Sequence, residues 1–115
     1  MNAEPLDCLI LEPPVPASAS VIWLHGLGAD GYDFEPLVPE LGLRERGARF
    51  VLPHAPQRPV TINGGYVMRA WYDIRRPDLR QDVDAAGIQA SVAAVNTLIE
   101  AELARGIPAE RIVLA

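Results

Sequence analysis

The chain has 115 residues, half of them hydrophobic, and a formal net charge of -5. That is enough for one domain burying roughly two thirds of its unfolded surface. The 10 basic residues are scattered, which argues against an electrostatic footprint for nucleic acid or an anionic membrane. Cys8 is the only cysteine and "MNAEPLDCLI" lacks a signal-peptide pattern. No apolar run nears the ~20 residues that span a bilayer, so a cytoplasmic protein without stable membrane insertion is expected.

In chain order, "LDCLILEP" (6–13) reads as a short edge strand and "PPVPAS" as the turn that leaves it. "SVIWLH" (20–25) is a continuous apolar run of β-formers, the pattern of a parallel strand buried on both faces. Asp33 is the expected N-cap of a helix from about Phe34 to Arg46, stopped by Gly47, with Pro36 and Pro39 confining regular hydrogen bonding to its later part. "RFVLP" (49–53) predicts a second strand. From His54 to Arg80 the prolines, the Gly64-Gly65 pair and the weak periodicity predict a long ordered loop, a kind of segment that usually carries function.

Between about Asp82 and Arg105 the residues Ile88, Val92, Val95, Ile99 and Leu103 fall on one helical face, predicting a long helix whose stripe is core; Gly106 and Pro108 stop it. "RIVLA" (111–115) is a further strand, and the sequence ends within that element. Strand, helix, strand, long helix, strand is the order of an α/β architecture with right-handed crossovers.

The stretch "VIWLHGLGADGYDF" (21–34) is open to two readings. Gly26, Gly28 and Gly31 spell GxGxxG after a strand, as in a dinucleotide loop. That site needs an acidic residue near the end of the next strand, where this chain has "VLPHAP", and Asp30 and Asp33 would stand beside the pyrophosphate and repel it. The same residues spell HGLG, a tight loop whose backbone N–H groups could stabilise an oxyanion, with glycines that let a substrate approach. The second reading is preferred.

Three segments then carry a resemblance: "VIWLHGLGADGYDF", "FVLPHAPQRPVTINGGYVMRAWYDI" (50–74) and "GIPAERIVLA" (106–115). In this order and spacing they resemble the N-terminal half of the carboxylesterase and acyl-protein thioesterase family of α/β-hydrolases. The resemblance implies an α/β-hydrolase fold, with residues 1–115 forming one partial domain of a mainly parallel sheet flanked by helices. It implies a serine hydrolase acting on small-molecule or lipid esters or acyl thioesters, using no metal or organic cofactor. It also implies that the nucleophile elbow follows "RIVLA", so that serine, acid and general base all lie beyond Ala115 and the chain alone is inert.

By resemblance, Leu27 offers its backbone N–H as the first oxyanion donor, supported by Gly26 and Gly28, and Met68 and Trp71 line the acyl or alkyl pocket. An ordinary glycine turn and plain core packing are the respective alternatives. His25 ends a strand and His54 lies in a loop, so both are expected to be structural. Asp73 is expected to brace its loop rather than serve as the triad acid, and Ser18, Ser20 and Ser91 lack a GxSxG context. A homo-oligomer, or pairing through the exposed C-terminal strand, is the association expected. The alternative to a partial enzyme is a stand-alone, non-catalytic binding module, or a subunit that pairs with a complementary chain.

Overall fold

The computed structural model describes residues 6–115. Strands β1 (Cys8–Leu11), β2 (Ala19–Ile22), β3 (Ala48–Pro53) and β6 (Ile112–Leu114) form a sheet in the order β1-β3-β2-β6. β2 runs parallel to both β3 and β6, and only β1 is antiparallel, on β3. The mainly parallel sheet expected from the strand–helix alternation is therefore present, with β1 at one edge.

β3 is buried along its whole length. Phe50 and Leu52 point to one face, where they pack with Val38 and Ala48 and are flanked by Leu9, Leu11, Val21 and Trp23. Trp23 also stacks on Phe34 at a ring separation of 4.3 Å, which binds the segment after β2 to this face. β2 is assigned over fewer residues than the expected 20–25, yet its ladder goes on: Trp23 N–H donates to Val51 O at 3.0 Å and Leu24 N–H to Ala115 O at 2.8 Å. Its burial alternates, with Ser20 and Ile22 fully enclosed and Ala19 and Val21 half-buried, so the strand is not buried equally on both faces.

The helix expected over Phe34 to Arg46 is broken into shorter pieces. A 3-10 turn covers Gly31–Leu37, α1 has only Val38–Leu41, and another 3-10 turn covers Arg44–Arg46. Pro36 and Pro39 remove donors that a continuous helix would use. The cap is Asp30 and not Asp33: its side chain accepts from Tyr32 N–H at 2.9 Å. Gly47 ends the last turn in the left-handed region, at φ 95°. The expected 54–80 loop contains a hairpin, β4 (Gln57–Val60) and β5 (Tyr66–Arg69), separate from the main sheet. Gly64 and Gly65, both with positive φ, make its turn.

Helix α2 spans Ala85–Ala104, as the periodicity requires, with Asp84 as N-cap. It closes in a Schellman arrangement, Gly106 N–H to Leu103 O and Ile107 N–H to Glu102 O, with Ile107 buried behind it. Its stripe is less buried than expected. Val95 is enclosed, whereas Val92 and Leu103 are more than two fifths exposed, because the neighbouring β6 is the last strand on that side of the sheet among the described residues. Val113 and Leu114 on β6 are each 53% exposed.

The helix is pinned to the sheet by a polar contact. Glu102, 2% exposed, accepts from Ser20 Oγ at 2.6 Å and from Arg49 Nε at 3.0 Å, and Arg49 also pairs with Glu12. Removing one member of a buried pair strands the other. Arg49→Met should therefore lower unfolding free energy by about 3 kcal/mol, and the double change Arg49→Met with Glu102→Leu should recover most of that loss. Urea midpoints of the single and double variants check this coupling.

Candidate active site

The site is built where β2 and β3 end together. His25, just beyond β2, is buried, and both ring nitrogens are engaged. Nε2 accepts from Ala55 N–H at 2.9 Å and Nδ1 lies 2.7 Å from Gly26 O. An amide can only donate and a carbonyl can only accept, so these partners define a neutral ring carrying its proton on Nδ1. Neither nitrogen is left for a reacting group, in agreement with the structural role expected of His25. His54 does more than occupy a loop: its Nδ1 accepts from Gly31 N–H at 2.9 Å and its ring stacks on Tyr32. A Cβ at Gly31 would overlap Leu52 O and press on this imidazole, so the third glycine of the motif serves close packing.

Gly26 to Ala29 form a tight turn closed by Ala29 N–H to Gly26 O at 3.2 Å, with Gly28 at φ 76° in the position where a type II turn requires glycine. Gly28 N–H donates to Arg69 O at 2.9 Å, which fastens the hairpin to the turn. The Leu27 N–H has no hydrogen-bond acceptor among the described residues, and Leu27 is 45% exposed. Among the described residues Gly26 N–H likewise has no acceptor, so two successive amides at the start of the turn are without partners.

Met68, on β5, brings its sulfur to 3.7 Å from where a Cβ on Gly28 would stand, and Asn63 Nδ2 donates to that sulfur at 3.6 Å. Trp71 takes a different place. Its Nε1–H donates to His25 O at 2.8 Å and its ring packs on the imidazole at 5.3 Å. Behind it lies a cavity of about 390 Å³ lined by Leu24, Trp71, Ile88, Val92, Val95 and Leu114. Met68 therefore borders the turn directly, whereas Trp71 holds the turn from below and closes an apolar cavity.

Asp73 bonds as a loop brace, accepting from Thr61 N–H at 2.8 Å and Thr61 Oγ at 2.5 Å. Asp84 is the residue that sequence reasoning passed over, although a short polar residue three before Gly87 at a helix start is a cap signal. Its carboxylate accepts from Gly87 N–H at 3.0 Å and from Asp73 N–H at 2.8 Å, with Arg75 and Arg58 nearby. The Thr61 hydrogen bonds hold the Asp73 carboxyl below its ordinary range, and the Asp73 and Gly87 amides do the same for Asp84. Ser20 and Ser91 are spent on Glu102 and on Trp71 O. Burial pushes the Cys8 thiol up to about 11, which leaves it protonated at neutral pH. Among the described residues no group of three or more His, Cys, Asp or Glu converges as metal ligands do.

The mainly parallel sheet, with a glycine turn at the carboxyl end of a central strand, is the N-terminal portion of an α/β-hydrolase. Within that class the chain belongs to the phospholipase/carboxylesterase family, whose model matches residues 7–115. Acyl-protein thioesterase 1 of Neurospora crassa is 43% identical over 119 residues, covering 92% of this chain and 49% of the relative. The Schizosaccharomyces pombe acyl-protein thioesterase 1 is 39% identical, covering 95% and 48%. Among solved structures, acyl-protein thioesterase 2 of Zea mays superposes with a TM-score of 0.73 at 33% identity, covering 95% of this chain and 44% of the other. SOBER1 of Arabidopsis thaliana gives 0.76 at 32%, covering 84% and 47%. The chain spans about half the length of the relatives it matches.

Because Asp73 and Asp84 ionise more readily here than in an unfolded chain, their stabilisation is complete above the ordinary aspartate value near ~4 and is lost progressively as pH falls below it, through their lowered folded-state values. Urea midpoints measured from neutral pH downward should hold level to about pH 4.5 and then decline. In Asp84→Asn the decline should be shallower.

Proposed function

We propose that this chain supplies the oxyanion turn and one pocket wall of a serine hydrolase that cleaves carboxylic esters or acyl thioesters, and that the reacting triad is contributed by sequence following β6. The observation that carries the reading is strand register. β2 and β6 run parallel with Ile22 opposite Leu114, and Leu24 N–H meets Ala115 O at 2.8 Å. Residues following Ala115 would therefore emerge beside His25 and Gly26, at the sheet end where parallel α/β proteins bind their ligands. The names of the relatives, acyl-protein thioesterases, favour the same chemistry.

In the proposed reaction, a serine hydroxyl, deprotonated by a histidine, attacks the carbonyl carbon. The carbonyl oxygen gains the negative charge and accepts from Leu27 N–H, a contact worth on the order of 3 kcal/mol in the transition state. Collapse expels the alcohol or thiol, which takes the proton from the histidine, and water then releases the acid from the acyl-enzyme. Met68, beside Gly28, presents apolar surface for the acyl or alkyl chain, while Trp71 supports the turn through His25. The chain by itself supplies no nucleophile to this scheme. The exposed row of β6 backbone groups and the cavity beside α2 suit the packing of such a following half.

Residues 1–115 alone should turn over p-nitrophenyl acetate no faster than a buffer blank. Joined to the portion of the Neurospora crassa relative that follows its matched half, they should hydrolyse it and take up a fluorophosphonate. A chimera with a cooperative melt that does neither overturns the reading. In the active chimera, Leu27→Ala should keep kcat/KM within about threefold, since the donor is main chain, whereas Gly28→Val should lose about 100-fold or more by forcing a β-branched residue to positive φ.

A further inference from the structure

The hairpin that carries Met68 is a two-stranded sheet of four-residue strands, unpaired with the main sheet. Such a hairpin has little stability of its own, so its position depends on what holds it. Its base is fastened by Gly28 N–H to Arg69 O and by Arg69 Nη1 to Ala55 O. Its tip is fastened separately. Both oxygens of Asp73 hold Thr61, which opens the tip turn Thr61–Asn63, and Ile62 N–H donates to Ile74 O at 2.9 Å. The same turn ends in Asn63, whose amide reaches the Met68 sulfur.

Asp73 is itself immobilised from the helix side. Its N–H is bonded to Asp84 and the carbonyl of Trp71 accepts from Ser91, so residues 71–73 form a strap between α2 and the hairpin. We infer that Asp73 is a positioning residue which, through Thr61, sets where Met68 stands over the Gly28 turn and thereby how long an apolar substrate chain fits there. The inference rests on the hydrolase reading above and adds to it a determinant of chain-length preference that touches no reacting atom. Loss of the Asp73 bonds leaves the base anchor and the single main-chain bond from Ile62 to Ile74 in place. The apolar wall is then displaced while the Leu27 donor is not.

The test uses the active chimera with p-nitrophenyl acetate and p-nitrophenyl octanoate, counting competent sites with the fluorophosphonate. Asp73→Ala should raise KM for the octanoate about fivefold or more while kcat per labelled site on the acetate stays within about twofold. Thr61→Val, which keeps shape and main-chain donor but loses the hydroxyl, should raise it about two- to threefold, and Thr61→Ser should restore the parent value. In a Met68→Ala background the Asp73→Ala effect on octanoate KM should disappear, as residues acting in one chain are non-additive. An unchanged octanoate KM in Asp73→Ala and Thr61→Val, or equal losses on both esters, would overturn the inference while leaving the hydrolase reading intact. A parent chimera that is folded yet takes neither ester overturns both.

Discussion

The imidazole of His25 is the contact on which the rest of the site depends. It sits where two parallel strands end and bridges them, accepting an amide from the segment after β3 and donating to the carbonyl that opens the glycine turn. The turn from Gly26 to Ala29 has no polar side chain of its own to hold it. The histidine holds it through the carbonyl of Gly26. Trp71 acts in the same manner one residue earlier, donating to the carbonyl of His25 itself. The entry to the turn is thus held through the carbonyls of His25 and Gly26, and the rest of it through Gly28 N–H on Arg69 O and Ala29 N–H on Gly26 O.

A second layer of constraint is electrostatic. Asp73 and Asp84 stand among Arg58 and Arg75, but the geometry is set mainly by main-chain amides, which place both carboxylates to within a hydrogen-bond length. Surface ion pairs alone contribute little and tolerate wide variation in distance. Amide-to-carboxylate bonds are directional, so one aspartate can hold a hairpin and another can hold both a helix start and the strap beside it. The arginines neutralise the cluster at longer range, at separations of 3.4 to 4.0 Å.

The parallel sheet and α2 were legible in the sequence because each rests on a pattern of short period: the β-branched runs "SVIWLH", "RFVLP" and "RIVLA", and the stripe led by Ile88 and Val95. The structural roles of His25 and Asp73 could also be anticipated from where they fall along the chain. What could not be read depends on distant partners. Pro36 and Pro39 were visible, but the cost of a broken helix there is met by Asp30 and by the stacking of Phe34 on Trp23, which no local pattern shows. The β4–β5 hairpin was hidden by Pro59 and by the mixed polarity of "QRPV", which would not form a strand without its anchors at Gly28 and Asp73. Asp84 is marked only by its partners, the amides of Asp73 and Gly87, the first of which lies outside its own helix.

The buried carboxylate of Glu102 has a consequence in time as well as in space. Its hydroxyl partner, Ser20, lies 82 residues earlier, and β6 reaches β2 across a similar separation, with Arg111 Nε donating to Ser18 O from 93 residues away. Bringing such distant segments together costs loop-closure entropy before any contact offsets it, so these pairings slow folding. On a ribosome adding ~5–20 residues per second, β2 waits roughly 4–20 s for the strand and the glutamate that complete it. Through that interval its edge and the buried-to-be serine are open to solvent and to other chains.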